Sequence, residues 1–435
     1  MENILEKIKT KKAKVAIIGL GYVGLPLAVE IAKAKFNVIS IDKNKLVVDK
    51  INACKSHISD ITNIELEKVI NEGKLIATQS FKAIEKIDVI IICVPTPLTK
   101  NKEPDMNYIK DALNEMVPFL HKEQLIVLES TTYPGTTEDL IKPRLEEKGF
   151  TIGKDIYLAF SPERVDPGNK KYKINRIPKI VGGITDKCTE VARKFYKEVI
   201  AGEVYPVSSA KIAEMAKLLE NIYRNVNIAL VNEFAMLCDR MNIDVWEVIE
   251  AAKTKPYGFT AFYPGPGVGG HCIPVDPFYL SWKAKEYDFN TKFIELAGEI
   301  NSNMPDFVIE KTKRILNQKR KCLNGAKVLI LGISYKKDVG DVRESPALKI
   351  INLLQREQAD IYYCDPYVPI ISVNAKSYKS IKLVSEKLQK MDIALVITDH
   401  SIFNYHLIAK YSKQILDTRN VYKKMIKFNE KIWKL

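Results

Sequence analysis

The feature that most restricts the folds open to this chain is the order of three segments near its start. Lys14-Val15-Ala16-Ile17-Ile18 is a short apolar run, Gly19-Leu20-Gly21-Tyr22-Val23-Gly24 follows at once, and Leu25 to Ala34 has helical character. Strand, glycine turn and helix come in the order that a dinucleotide-binding βαβ unit with a parallel sheet requires, although the glycines alone could equally serve a sharp strand-to-helix turn. The glycines allow a tight turn and let a pyrophosphate reach the amides at the helix start, where the dipole favours negative charge. Asn37-Val38-Ile39-Ser40-Ile41 reads as the next strand and ends in Asp42. An acidic side chain there binds both ribose hydroxyls and repels a 2′-phosphate, so NAD is expected over NADP, although Lys43 and Lys45 argue the other way.

Asp88 to Val94 and Leu125 to Leu128 are continuous apolar runs, as in strands buried on both faces of a parallel sheet. They exit at Pro95-Thr96-Pro97 and at Glu129-Ser130-Thr131; Ile156 to Phe160 exits at Ser161-Pro162-Glu163-Arg164. Ligands of open α/β sheets lie beyond the carboxyl ends of the strands, so Thr96, Thr131 and Glu163 share a candidate rim. The two threonines could equally cap local turns.

From Ser208 the texture changes. Ala210 to Met241 contains no glycine or proline and sets Ile212, Met215, Leu219, Ile222, Val226 and Ala229 on one face, so a single long helix entered through a serine cap is expected. Opposite lie Glu214, Lys217, Asn221, Asn225 and Asn232. Repeated asparagine, a poor helix former, is unusual on a solvated face, so this stripe faces either a ligand or solvent. Lys217 and Asn221, four apart, are neighbours on it. A helix this long can join two domains or two subunits.

Phe262 to Pro277 holds four glycines and four prolines in sixteen residues, which excludes a helix or central strand and predicts a loop whose backbone can approach a ligand. Cys272 sits in it, after His271 and four residues before Asp276. An isolated cysteine is usually an inert small hydrophobe. Beside glycines and ionisable groups, however, a thiol can ionise and act as a nucleophile. Phe278 to Asn303 is expected to be helical, with a break at Asn303-Met304-Pro305. Lys327 to Gly332 then opens a second α/β unit, with further strands at Ile361–Cys364, Ile393–Ile397 and Ile415–Leu416. GxGxxG is absent there, so this half is expected to bind a nucleotide without the dinucleotide signature, with Lys336, Arg343 and Arg419 at strand ends able to hold phosphate. The whole is read as an α/β chain of two Rossmann-like parallel-sheet domains joined by a helical middle domain with one long helix, divided at residues 1–206, 207–310 and 311–435.

Composition narrows the classes. The net charge of +14 comes mostly from lysines scattered through every segment, without an arginine-rich block or interleaved aromatics, so no nucleic-acid partner is expected and an acidic small substrate would suit the charge. Seven cysteines form no CxxC pair, which fits neither a disulfide framework nor a zinc site; reduced thiols in a cytoplasm and no metal are expected. The N-terminus lacks the apolar core of a signal peptide, and no run is long enough to cross a membrane, so no membrane partner is expected.

Taken together, GLGYVGLP, Asp42, VPTP, EST, SPER, KLLEN, GGHCIPVD and GISYKKDVGDVRESP resemble the nucleotide-sugar dehydrogenases, which oxidise the C6 alcohol of a UDP- or GDP-sugar to a carboxylate. The resemblance covers essentially the whole chain and implies NAD, a place in polysaccharide biosynthesis, and a homodimer formed through the long helix. It makes Cys272 the nucleophile, Lys217 and Asn221 the holders of substrate and oxyanion, Asp276 an acid/base group, and Thr131 and Glu163 the groups that position a water. Gly19, Gly21, Tyr22, Val23, Gly24, Asp42, Pro95, Thr96, Thr131 and Arg343 would contact NAD. Glu163, Lys217, Asn221, Tyr263, Gly269, Tyr335, Lys336 and Arg419 would contact the UDP-sugar. Pro167 stands where UDP-glucose enzymes carry a second glutamate, and YPGPGVGGHCIPVDPFYL resembles the UDP-N-acetylglucosamine branch, with the N-acetylgalactosamine and N-acetylmannosamine sugars as neighbours. Two other readings stay open: a one-step dehydrogenase of 3-hydroxyacyl or 6-phosphogluconate type, and a non-enzymatic NAD sensor.

Overall fold

The computed structural model describes residues 3–58, 60–99, 101–165, 174–270 and 273–435. They divide into two compact units, Met1–Glu220 with Phe278–Phe289 and Asn221–Pro277 with Asn290–Leu435.

The first unit is built on β1 (Lys14–Ile18), β2 (Asn37–Ile41), β3 (Leu75–Thr78), β4 (Val89–Ile92), β5 (Gln124–Leu128), β6 (Ile156–Phe160), β7 (Lys179–Gly183) and β8 (Val204–Val207). They lie side by side as β3-β2-β1-β4-β5-β6-β7-β8. Alternation along β1 feeds both faces of the sheet: Val15 and Ile17 pack with Val29 and Phe195, Ala16 and Ile18 with Ile109 and Leu113. Strand order reverses between β1 and β4, which places the ends of those strands at a ligand-binding switch point. Neighbours are parallel except β6 and β7, whose register pairs Ala159 with Gly183 and Phe160 with Gly182. β7 and, parallel to it, β8 therefore run against the other six strands, and this brings the first residue of β7 to the rim where β5 and β6 end.

The second unit carries a parallel sheet in the order β10-β9-β13-β14-β15, made of β9 (Lys327–Leu331), β10 (Asp360–Cys364), β13 (Ile393–Val396), β14 (Ile415–Asp417) and β15 (Ile432–Lys434). A small antiparallel pair, β11 (Ile370–Val373) and β12 (Lys376–Lys379), accompanies it. The α/β class with two parallel sheets and a helical middle is as expected.

The long helix runs from Ala210 to Met241, entered where Ser209 Oγ accepts the Ile212 amide. Its polar stripe faces inward: Glu214, Lys217, Asn221, Asn225 and Asn232 are all buried. Asn232 donates to Asn301 Oδ1 at 2.8 Å, Asn301 donates to Asn225 Oδ1 at 2.9 Å, and Asn232 Oδ1 accepts the Gly265 amide at 3.0 Å, so these amides are satisfied by one another and by the glycine loop. The outward stripe is apolar instead, with Ile212, Met215, Leu219, Tyr223, Leu230, Phe234, Leu237 and Met241 exposed, Leu219 at 64%.

The expected break at Asn303-Met304-Pro305 does not occur: one helix spans Lys292–Gln318 with Pro305 inside it. A proline removes one ladder hydrogen bond, the one to the Asn301 carbonyl, but Met304, Pro305 and Val308 lie in the buried face. Tertiary burial outweighs the local penalty. The helical expectation over Phe278 to Asn303 is also corrected, because Asp276–Ala284 ends in a short 3-10 turn and a left-handed Asp288 before Lys292.

Candidate active site

At the end of β1, Gly19 has φ +94°, and a Cβ there would meet the Cys93 carbonyl oxygen at 2.7 Å. A Cβ on Gly24 would lie 1.8 Å from the Gly19 oxygen, so only glycine allows this turn to close against the helix Gly24–Lys33. At Gly21 a Cβ would project into open space, which leaves room for a ligand to approach the backbone. The residue before the helix, Val23, supplies no side-chain cap, and Tyr22 beside it is exposed. Asp42 ends β2 with Oδ2 accepting the Leu20 amide at 2.9 Å and Oδ1 the Asn44 amide at 2.8 Å, a carboxylate fixed beside the glycine turn. Thr96 is buried, its carbonyl accepting the Tyr279 hydroxyl; Pro95 is exposed and Thr131 half-buried at the same rim. This cradle fits NAD: a glycine turn at a helix start for the pyrophosphate and a carboxylate at the next strand end for a ribose.

Beyond β5 and β6 the rim becomes ionic. Lys217 Nζ donates to the Glu163 carbonyl at 2.5 Å. The Glu163 carboxylate accepts the Arg164 and Val165 amides at 2.6 and 2.7 Å and lies 3.3 Å from Lys179 Nζ. Lys179 reaches Glu129 at 2.8 Å on its other side, and Glu129 also accepts the Tyr196 hydroxyl. Burial works to raise the Glu163 pKa, but Lys179, Lys217 and the two amides outweigh it and hold the carboxyl below its ordinary value. For Glu129 burial wins, and its pKa is raised. Glu214 fixes the nearby loop by accepting the Gly135 and Thr137 amides at 2.5 and 2.9 Å; burial pushes its pKa up to about 7.

In the second unit, Asn221 Nδ2 donates to Asp276 Oδ2 at 2.5 Å, and Asn221 Oδ1 accepts from Arg224. Both groups of the amide are thereby oriented, and both Asn221 and Asp276 are buried. The glycine loop lies against two of the expected substrate residues. A Cβ on Gly265 would sit 2.8 Å from Arg419 Nη1, one on Gly269 would sit 2.7 Å from Tyr335 Cβ, and one on Gly270 would strike the Tyr335 ring. Arg419 donates to the Ile397 carbonyl at 2.8 Å. The Arg343 carbonyl accepts the Gly270 amide, while its guanidinium holds Asp341 at 2.7 Å. Lys336 lies on the same β9 loop as Tyr335. Tyr263 stands apart from this group: its hydroxyl donates to Glu250 at 2.7 Å and its ring stacks on Trp246. Cys272 and Pro167 fall outside the described residues. From the sequence no role was expected for Lys179, Tyr196 or Arg224; Lys179 carries no motif, and only the strand reversal at β7 brings it to the rim.

Three stretches match the domains of one family: residues 13–200 its NAD binding domain, 211–303 its central domain and 329–424 its UDP binding domain. The chain belongs to the UDP-glucose/GDP-mannose dehydrogenase family. It is therefore an enzyme, an NAD-dependent UDP-sugar 6-dehydrogenase. It is 40% identical over 402 residues to the UDP-N-acetyl-D-mannosamine dehydrogenase of Campylobacter jejuni, covering 90% of this chain and 96% of that one. With the UDP-N-acetyl-D-glucosamine 6-dehydrogenase of Pseudomonas aeruginosa it shares 35% identity over 359 residues, 82% of this chain and 84% of the relative. The solved UDP-D-ManNAc dehydrogenase of Pyrococcus horikoshii superposes with a TM-score of 0.87 at 33% identity, over 97% of this chain and 98% of the other. Among the described residues no helix is long and apolar enough to cross a membrane, and no His, Cys, Asp and Glu side chains group as a metal site.

Proposed function

We propose that this enzyme oxidises the C6 alcohol of a UDP-2-acetamidohexose to the uronate in two successive oxidations at one site. The observation that carries the reading is the oriented pair on the long helix, buried Lys217 and, one turn on, Asn221 clamped by Asp276 and Arg224. One N–H of the Asn221 amide goes to Asp276, and the second would donate to the reacting oxygen together with the Lys217 ammonium. A cation and an amide donor together suit an oxygen that gains negative charge in the reaction.

When bound, NAD supplies hydride acceptance, once from the alcohol to leave an aldehyde and once more to bring the carbon to the acid level. The chain's own groups do the rest. The Cys272 thiolate adds to the aldehyde carbon, forming a C–S bond and an oxyanion held by Lys217 and Asn221. Asp276 serves the proton transfers at the C6 oxygen. After the second oxidation the carbon is a thioester; water held by Thr131 and Glu163 attacks it, its proton passes to Glu163, and the C–S bond breaks with its electron pair returning to sulfur. Asp42, Gly19, Gly21 and Gly24 hold the cofactor, while Tyr335, Lys336 and Arg419 take the UDP-sugar. This reading divides the chain into three domains, with boundaries near residues 206 and 310.

For the sugar, the resemblance in the glycine loop favours the gluco epimer. The relative with 40% identity and the solved structure at TM-score 0.87 are both named for the manno epimer, and that support leads us to UDP-N-acetylmannosamine. The 35% relative keeps UDP-N-acetylglucosamine as the second reading. A site that pairs a 2-acetamido group leaves those partners unpaired when a hydroxyl replaces it, at a cost of about 1–3 kcal/mol per group. With a panel of UDP-sugars and NADH formation as the readout, the manno acetamido sugar is expected to exceed UDP-glucose at least about tenfold in kcat/KM. A faster gluco acetamido sugar would favour the second reading, and a faster UDP-glucose would reject both.

The apolar outer stripe of the long helix supports a homodimer, since eight large apolar residues along one face are seldom left to water. Sedimentation should give about twice the 49.4 kDa chain mass, with Leu219→Glu shifting the enzyme toward monomer. A wild type that sediments as a monomer would end this proposal.

A further inference from the structure

We propose that Lys179 is the positioning residue of Glu163: its ammonium, clamped between the Glu129 and Glu163 carboxylates, keeps Glu163 ionised and fixed for the hydrolytic step. This rests on the reading of Glu163 as the group that receives the proton of the attacking water.

The placement follows from topology. Continuing the β6–β7 register past the pair Phe160 and Gly182 sets Glu163 opposite Lys179, because the two strands run in opposite directions. Were β7 parallel to β6, its first residue would lie at the far edge. The parallel register of β5 with β6, Leu128 beside Phe160, puts Glu129 next to the same spot. Lys179 therefore stands between two carboxylates at 2.8 and 3.3 Å, with its own side chain only 7% exposed.

The balance of charge shows what the ammonium does. The groups facing Glu163 are Lys179 on β7, Lys217 on the long helix, Glu129 after β5, and the Arg164 next to it, which is paired with Glu220 at 2.7 Å. Behind Lys179 lie the Tyr196 ring at 5.1 Å and Cys93, whose thiol burial keeps protonated. Two carboxylates and two ammoniums balance. Without Lys179 both carboxylates lose the ammonium at 2.8 and 3.3 Å, and the burial that works to raise Glu163 is opposed only by Lys217 and the two amides. A protonated Glu163 can neither orient water through a charged oxygen nor accept its proton. The sign is then fixed: with Lys179 present Glu163 stays ionised well below neutrality, and without it the pKa rises, so activity is lost first on the acid side.

The test uses the full-length enzyme with the UDP-sugar that the panel shows to be turned over, reading kcat from about pH 5.5 to about pH 9.5 and acyl-enzyme by intact mass after acid quench. Glu163→Gln should lose at least about 100-fold in turnover and accumulate acyl-enzyme. Lys179→Met should bring an acid limb of kcat into this pH range, leaving turnover about tenfold below wild type near pH 6.5 and within about threefold near pH 9. Lys179→Arg, which keeps the charge, should return the limb toward its wild-type position. Glu129→Gln removes the competing carboxylate and leaves Lys179 to Glu163 alone, so its limb should stay in place or move down; this variant also serves if Lys179→Met does not fold. A purely structural lysine predicts equal loss at every pH, and that result, an unmoved limb in Lys179→Met, or an upward shift in Glu129→Gln would overturn the proposal while the role of Glu163 stands. Wild-type turnover in Glu163→Gln would instead remove the reading on which the proposal rests.

Discussion

Alanine at position 272 is expected to lower turnover by at least about 10³-fold while both units keep their folds. The expectation comes from electron counting: an alcohol becomes an acid by losing two hydrides, so a single site must keep the intermediate aldehyde from escaping between the two. A covalent bond to sulfur does this, and alanine has nothing to offer the aldehyde carbon. Wild type should accordingly form about two NADH per UDP-sugar consumed, with no free aldehyde trapped by hydroxylamine. Cys272→Ser should be nearly as slow, because a serine hydroxyl is a far weaker nucleophile at neutral pH. The described residues on either side of Cys272, up to Gly270 and from Ile273, belong to neither sheet, so far-ultraviolet circular dichroism and the melting temperature should change little. Near wild-type rates in Cys272→Ala, or one NADH per sugar with released aldehyde, would return the one-step dehydrogenase to first place.

How much of this was legible in the sequence depends on the kind of signal each residue gives. The glycine turn at Gly19 to Gly24 could be read because its physical requirement is local: a positive φ at Gly19 and no room for a side chain at Gly24. The long helix was legible to its last residue, since thirty-two positions without glycine or proline leave little alternative. Its orientation was harder. Periodicity separates two faces but does not say which one is buried, and here the asparagine face is inside because Asn301 and the Gly265 amide satisfy it. Pro305 misled because a helix-breaking propensity is a local cost, and a buried face that includes Met304 and Val308 offsets it. Lys179 was invisible for the opposite reason. Nothing near it in sequence marks it, and its partners Glu129 and Glu163 lie fifty and sixteen residues away, brought together only by a reversed strand that no composition signal announces.

Lys217→Ala is the second substitution from which a large effect is expected, about 10²–10³-fold in kcat, the size of loss usual when one donor to a developing oxyanion is removed. Lys217 brings two effects to the same place. As a cation one turn from Asn221 it would stabilise the charge on the C6 oxygen, and through its bond to the Glu163 carbonyl at 2.5 Å it tethers the segment that carries the proposed hydrolytic carboxylate. It also helps hold the Glu163 pKa down, so its removal should raise the acid limb of kcat in the same direction as loss of Lys179, on top of a loss that persists at high pH. That combination separates the two lysines: recovery near pH 9 is expected for Lys179→Met and not for Lys217→Ala. Asn221→Ala removes a neutral donor, so its loss in kcat should be smaller than that of Lys217→Ala. In neither variant should KM for NAD change by more than about twofold, because the cofactor cradle is built from the glycine turn and Asp42 rather than from the long helix. A large rise in KM for NAD with kcat preserved would place Lys217 in the cofactor pocket and take from it the role of oxyanion cation.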